Sequence, residues 1–247
     1  MRIAAPAPCI VRLGRVESTQ TIAFALAADG VPDGTVVVAD SQAAGRGRRG
    51  RAWLDEPGAS LLASIVLRPR LDPVRLPGLS LAAGVAVAEA LTRAAGVRPR
   101  LKWPNDVLVD GRKIAGILLE SRFGADTERA TTVLGVGVNL TQRVFPAELA
   151  RRATSLWLSS GRRVDRDALL AALLDSVAEW RRRLERQGFA PVRERWRALA
   201  DTLGRVVSVD GVRGLAVDVD ATGALVVDDG DGRRRLVVAG DVGEVPR

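Results

Sequence analysis

Asp-Gly and Thr-Gly dipeptides set the outline of this chain, because they mark where it must reverse. Asp110-Gly111 divides two apolar, β-branched runs, Asp106–Val109 and Lys113–Ser121. A two-residue hairpin turn needs positive φ at both central positions, which Asp tolerates and Gly adopts freely, so the pair predicts a β-hairpin. After Arg205 such turns crowd together at 210–211, 222–223 and 229–230. They cut the chain into Val206–Val209, Gly214–Val219, Ala224–Val227 and Arg235–Val238, short strands of a small all-β barrel or meander.

The segment upstream reads differently. Ser18–Ala28 is helical in pattern, with Ser18 or Thr19 able to cap its start and Gly30 just past its end. Thr35–Ala39 and Ser60–Leu67 are strands, separated by a Gly- and Arg-rich loop over Gln42–Pro57. Leu79–Ala95 has helical length and stops before Gly96. Arg100–Trp103 is a strand that meets Asp106–Val109 across a Pro104–Asn105 turn, and Thr131–Asn139 is another. Two amphipathic helices follow, Arg166–Arg186 and Ala190–Leu199, with an Arg-rich solvated face; Trp157, Trp180 and Trp196 are assigned to core packing. The expectation is an α+β domain over 1–203 and a small β domain over 204–247. A charge reversal supports the boundary: 31 basic against 20 acidic residues over 1–200, and 6 against 9 over 201–247.

Absent residue types narrow the chemistry. The chain has no His and no Tyr, and Cys9 is alone. Cys/His zinc sites and Ser-His-Asp or Cys-His mechanisms are therefore excluded, leaving positioning and electrostatic stabilisation by Arg, Lys and backbone amides. A carboxylate-bound magnesium arriving with a nucleotide stays open. One cysteine permits no internal disulfide, so a reducing cytoplasm is expected. Arg2, Pro6 and Pro8 interrupt the N-terminal apolar stretch, so no signal peptide is expected, and no apolar run approaches the roughly 20 residues of a membrane span.

Of 37 basic residues only Lys102 and Lys113 are lysine, and the other 35 are arginine. A lysine kept against that bias suggests a site that wants a compact ammonium on a flexible stem. The only asparagines, Asn105 and Asn139, fall in the same stretch. Gly45-Arg46-Gly47-Arg48-Arg49-Gly50-Arg51-Ala52-Trp53 supplies backbone able to approach a ligand and planar forks for phosphate or carboxylate. Trp53 either anchors this loop to the core or stacks on a flat ligand. Alone, the loop has three readings: a nucleic-acid segment, a solvated loop, or an anion-binding loop. Lys102-Trp103-Pro104-Asn105-Asp106, Lys113–Glu120 and Gly135–Leu140 place cation, amide and carboxylate at strand ends, where a small-molecule site is expected. Neither a Walker A loop nor a dinucleotide fingerprint is present.

The ordered set Glu17-Ser18-Thr19, Gln42, Gly45–Trp53, Lys102–Asp106, Lys113–Gly116 and Gly135–Asn139 resembles the biotin–protein ligases, also called biotin–[acetyl-CoA-carboxylase] ligases. The resemblance covers about positions 15–160, and the C-terminal β segment is compatible with the family's SH3-like domain. It implies a mixed, largely antiparallel sheet with helices, and a two-step reaction: biotin and ATP give biotinyl-5′-AMP, and a lysine of a biotin carboxyl carrier protein then takes the biotin. It assigns biotin to Ser18, Thr19, Gln20, Gln42, Arg46, Gly47, Arg48, Lys113 and Gly116. It assigns ATP or adenylate to Arg46, Arg48, Trp53, Lys102, Asn105, Asp106, Lys113 and Asn139, with Lys113 and Arg48 catalytic. Asp106 is also placed toward the incoming lysine. Magnesium is expected with ATP, with no ligand assignable. Gln20 stands where the family usually has Asn, so its contact with biotin is a longer reach.

Some members of the family carry a DNA-binding domain before this segment; the few residues ahead of Ser18 imply the monofunctional type, a monomer or homodimer with no membrane partner. A lipoate or octanoate ligase is the nearest rival, but its Gly-Arg loop has another form and Cys9 lies outside every motif. A sequence pI near 11.1 raises nucleic acid as a second rival. No recognition module or stacking surface supports it, so no specific nucleic-acid partner is expected.

Overall fold

The computed structural model describes residues 9–123 and 130–244; the N-terminal stretch through Pro8 lies outside them. Seven strands share the hydrogen-bonding order β1-β2-β3-β7-β6-β5-β4, and five C-terminal strands form a second sheet. The chain divides into two compact units, Met1–Arg70 with Leu118–Val138, and Leu71–Ile117 with Asn139–Arg247.

In the first unit, β1 (Ile10–Val16) runs parallel to β2 (Val36–Gln42), with Ile10 opposite Val36. β2 pairs antiparallel with β3 (Ser60–Leu67), with Val36 opposite Ile65. Between β1 and β2 lies α1 (Thr19–Ala28), whose Ala23, Phe24 and Ala27 bury against Val37, Val66 and Val133. Every residue of β3 is buried, as its continuous apolar run demands. The end of α1 is held by the Arg68 guanidinium, which donates to the carbonyls of Ala27 at 3.3 Å and Val31 at 2.9 Å.

The second unit is built on α2 (Leu76–Ala95), apolar nearly all round and flanked by α4 (Arg166–Gln187) and α5 (Ala190–Leu199). Contrary to the expectation from sequence, Pro73–Ala95 is long and apolar enough to cross a membrane, with mean hydropathy 1.4; 72% of that window is buried inside the fold, as in a core helix. Trp180 Nε1 donates to Glu89 of α2 at 2.9 Å, and Arg195 pairs with the same carboxylate. β4 (Arg100–Lys102) and β5 (Asp106–Val109) pair antiparallel, joined by a segment with a cis Trp103–Pro104 bond. β5 then pairs with β6 (Arg112–Phe123) through the expected hairpin, where Asp110 and Gly111 have φ of 50° and 71°. β7 (Ala130–Asn139) leads into a short helix, α3 (Leu156–Ser160).

The C-terminal strands β8 (Val206–Val209), β9 (Val212–Val219), β10 (Leu225–Asp228), β11 (Arg234–Val237) and β12 (Gly243–Glu244) take the order β11-β10-β9-β8-β12, and neighbours are antiparallel. The Asp220 carboxylate closes one of their turns by accepting from Thr222 N, Thr222 Oγ1 and Ala224 N. Burial alone would raise this acid; the bonds from Thr222 and Ala224 outweigh it and hold the carboxyl below its ordinary range.

β1 and α3 are elements that the sequence pattern did not bring out, and one expectation is corrected. Trp157 is only half-buried, with the Arg143 guanidinium 4.7 Å above its ring, whereas Trp180 and Trp196 are core residues as expected.

Candidate active site

The first group of predicted residues lies at the start of α1 and the end of β2, within the first unit. Ser18 occupies the N-cap position with φ −160°, yet its hydroxyl accepts from no helix amide. The residue is 2% exposed, and Ser18 Oγ has no hydrogen-bond partner among the described residues. A cap therefore does not explain it, and a buried hydroxyl left unpaired costs about 1–3 kcal/mol. Thr19 is tied down: its N donates to Gln42 Oε1 at 2.8 Å, and its Oγ1 lies 3.0 Å from that oxygen and 2.9 Å from Ser64 Oγ. Gln20 points inward. Its Nε2 donates to the Val133 carbonyl at 3.1 Å and its Oε1 accepts from Ser64 Oγ at 3.1 Å. Its amide is thus engaged by protein groups on both sides.

The Gly-Arg loop closes on itself as a tight hairpin. Arg46 bridges Ala52, Gly47 N donates to Arg51 O at 2.7 Å, and Trp53 N donates to Gly45 O at 2.9 Å. The tip, Arg48–Gly50, is a 3-10 turn with Arg49 at φ 55° and Gly50 at φ 73°. A methyl on Gly45 would sit 2.5 Å from Trp53 O, so this glycine serves the hairpin's own closure. The Trp53 ring lies on β7, where a methyl on Gly137 would be 2.6 Å from Cε2, so one face of it packs against the sheet. Arg46 is exposed and Arg48 half-buried, so the donors of this loop remain at the surface of the unit.

The second group lies within the second unit, and β5 organises it. Asp106 is the register partner of Lys102 on β4, and its Oδ1 lies 2.6 Å from Lys113 Nζ on β6. One carboxylate thus stands beside both lysines of the chain. The pairing shifts by one residue between Val107 and Leu108, which sets Lys113 opposite Leu108 and diagonal to Asp106. A long unbranched stem spans that diagonal. The backbone of Lys113 is held on both sides: its N donates to Arg152 O at 2.7 Å and its O accepts from Thr154 N at 2.8 Å. Gly116 faces Asp106 in register. Asn105 donates through Nδ2 to Ile117 O at 2.8 Å, keeping the segment before β5 on β6. Trp103, 2% exposed, donates from Nε1 to Gly223 O at 3.1 Å, and its N donates to Thr202 Oγ1 at 2.8 Å.

Asn139 is 5% exposed, and its Nδ2 donates to Thr154 O at 2.9 Å. Its donor is therefore engaged with the very segment that holds Lys113, an internal role that the expectation of a nucleotide contact did not include. Ser155 completes this strap: its Oγ donates to Gln142 O at 2.6 Å and caps α3 by accepting from Leu158 N.

Sequence reasoning missed Ser64, Asp55 and the 152–155 strap. Asp55 accepts from Gln42 N at 3.2 Å. Ser64 carried a signal, being a lone polar residue in the middle of an otherwise apolar stretch of β3. Among the described residues no three His, Cys, Asp or Glu side chains come together to hold a metal. Asp106 is engaged by Lys113. A magnesium that arrives on the phosphates of a nucleotide needs no such cluster.

Residues 13–139 match the biotin/lipoate A/B protein ligase family, and residues 202–242 match the biotin protein ligase C-terminal domain. The biotin–[acetyl-CoA-carboxylase] ligase of Paracoccus denitrificans is 37% identical over 236 residues, covering 92% of this chain and 97% of the relative. The enzyme of that name from Mycobacterium tuberculosis is 38% identical over 239 residues, covering 91% and 85%. The solved biotin protein ligase from Aquifex aeolicus, in complex with biotin and ATP, superposes with a TM-score of 0.83 at 30% identity, covering 95% of this chain and 97% of that one. The chain belongs to the biotin/lipoate A/B protein ligase family, among its biotin protein ligases.

Proposed function

We propose that this chain joins biotin to ATP as biotinyl-5′-AMP, releasing pyrophosphate, and passes the biotin to a lysine of a carboxylase's biotin carboxyl carrier protein or domain. The buried, unpartnered hydroxyl of Ser18 beside Thr19 and Gln42 carries this reading. A cyclic urea offers two N–H donors and one carbonyl, and a dry pair of hydroxyls with an amide is the neutral set that pairs with it. The Aquifex relative holds both substrates named, and the acceptor follows from the names of the Paracoccus and Mycobacterium relatives.

In the first step a carboxylate oxygen of biotin attacks the α-phosphorus of ATP, and the bond to pyrophosphate breaks. Lys113 is assigned to the charge on the reacting carboxylate and phosphate, and Arg46, Gly47 and Arg48 to the adenylate side, with Arg48 also catalytic. Gly116 lies on the biotin side, where a bare backbone permits close approach. Lys102, Asn105, Trp53 and Asn139 are assigned to the nucleotide side, Trp53 and Asn139 by holding their segments in place. In the second step the acceptor amine attacks the mixed anhydride carbonyl and AMP leaves. Asp106 is assigned to the incoming lysine: it attracts the ammonium and takes the proton that must leave before the amine can attack. Magnesium would come bound to ATP phosphates, and no step is assigned to it.

The same reading extends to organisation. A boundary near Gly204 is supported by the C-terminal match beginning at residue 202. We place the chain in the cytoplasm, as a monomer or homodimer with no specific nucleic-acid or membrane partner. Biotin-dependent exchange of labelled pyrophosphate into ATP tests the assignment. Exchange with lipoate and none with biotin would overturn it.

A further inference from the structure

The hydrogen bonds around Thr19 run in one direction. Nε2 of Gln20 faces two carbonyls, Val133 at 3.1 Å and Leu118 at 3.5 Å, so Oε1 has to face the hydroxyl of Ser64. A hydroxyl has one proton, and Ser64 gives it to Gln20. What Ser64 presents to Thr19 Oγ1, 2.9 Å away, is then a lone pair. The single proton of Thr19 points inward, to Ser64 Oγ or to Gln42 Oε1. In this arrangement neither Ser64 nor Gln42 Oε1 donates back, so the lone pairs of Thr19 Oγ1 stay available to a ligand. Thr19 and Gln20 are 3% exposed and Ser64 is fully buried, so bulk water does not compete for these bonds. Position 135 matters as well: a methyl there would lie 2.6 Å from Gln20 Oε1 and push the amide off Ser64.

We propose that Gln20, acting through Ser64, is a specificity-determining positioning residue: the pair fixes Thr19 as a pure acceptor. The pocket thereby selects a head group that presents an N–H, such as a cyclic urea, over a ring of carbon and sulfur that has none. The inference rests on the biotin assignment for its occupant. It also accounts for an amide at position 20 whose two ends are held by Val133 and Ser64. Without the Gln20 carbonyl, the Ser64 proton turns to the next acceptor, Thr19 Oγ1, and occupies a lone pair the ligand needs.

That reversal gives a distinctive test by biotin titration calorimetry on the full chain. Gln20→Met should raise the biotin Kd roughly fivefold to tenfold, the worth of one net hydrogen bond. Ser64→Ala leaves Thr19 an acceptor and should stay within about twofold of the wild type. The double variant, in which both partners become apolar, should recover to within about threefold. Gly135→Ala should weaken biotin binding as Gln20→Met does and be rescued by Ser64→Ala, which keeps the test sound if Gln20→Met does not fold. ATP affinity and the thermal midpoint separate this from general loss of structure, since neither should follow the biotin pattern. Additive losses in the double variant, or an unchanged Kd in Gln20→Met, would overturn the inference. A wild-type protein that binds no biotin would overturn the ligase assignment itself, and this inference with it.

Discussion

Lys113→Arg keeps the charge and changes its shape, which isolates what a lysine is for at this position. The ammonium lies 2.6 Å from Asp106 Oδ1, and the backbone beneath it is pinned through Arg152 and Thr154. The main chain therefore cannot retreat to make room for a longer side chain. A guanidinium in the same place carries its charge about 1 Å or more further out and spreads it over a plane. At a reacting centre a misplacement of about 1 Å costs on the order of 100-fold, and loss of a charge-stabilising contact about 100- to 1000-fold. Biotin-dependent ATP–pyrophosphate exchange should therefore fall by about 100- to 1000-fold. Stability should hardly change. The side chains of Lys113 and Asp106 are 33% and 26% exposed, so their pair is worth within about 1 kcal/mol, or about 2–4 °C in Tm. Exchange kinetics and a thermal melt on the same preparation check both halves. Wild-type exchange in this variant would refute the argument for lysine. A collapse of the melting transition would refute the claim that the residue serves chemistry rather than the fold.

Asp106→Asn should slow transfer of biotin to a carrier protein by about 10-fold or more, because the neutral amide neither attracts the incoming ammonium nor takes its proton; exchange should fall less, since Lys113 loses its carboxylate partner but keeps its pinned backbone, and single-turnover transfer from preformed adenylate separates the two. Gly137→Ala sets a methyl 2.6 Å from the Trp53 ring and should cost about 1–3 kcal/mol with a shift in tryptophan emission, read by denaturant titration. Asn139→Ala leaves Thr154 O without its donor in a buried site, which should cost about 1–3 kcal/mol and lower exchange by loosening the strap on Lys113. The depressed Asp220 carboxyl stabilises its turn above the ordinary carboxylate value of 3.8 and loses that contribution as pH falls through its lower folded value. Thermal melts between pH 5 and pH 2 should therefore show an acid-side loss that Asp220→Ala reduces.

The sequence was most legible where one physical signal acts alone. Ser60–Leu67 and Ala190–Leu199 match the structure residue for residue, because a short apolar run behind a Gly-rich loop favours a strand and a 3.6-residue period opened by Pro191 favours a helix. β1 escaped notice because it is the end strand of the order, with no residue fully buried and Gly14 and two arginines within it. α2 begins three residues earlier than its pattern suggested, since Pro77 belongs to the first turn, where no amide hydrogen is needed. In the site, rare residue types located Lys102, Asn105, Lys113 and Asn139, and Asp106 came with the segment that holds two of them. Their partners were not legible, because Ser64 meets Gln20 across 44 positions and Thr154 meets Asn139 through a backbone oxygen. Composition reveals which side chains are unusual; it carries no register.

The two lysines show what that register adds. In a chain that writes arginine almost everywhere, both survivors flank one carboxylate, Lys102 as its neighbour on β4 and Lys113 by reaching diagonally from β6. The roles differ because the backbones differ. Lys113 follows the Asp110-Gly111 turn and is clamped by a strap that Asn139 and Ser155 hold in place, so its ammonium has one address. Lys102 precedes a Trp103 fixed to Thr202 and Gly223, so its position depends on the C-terminal sheet staying in place. The hairpin turn that first outlined the fold thus also places the ammonium that we propose faces the reacting groups. Rare lysine, rare asparagine and the Asp-Gly turn are three views of one arrangement, in which a flexible stem is acceptable only because everything beneath it is rigid.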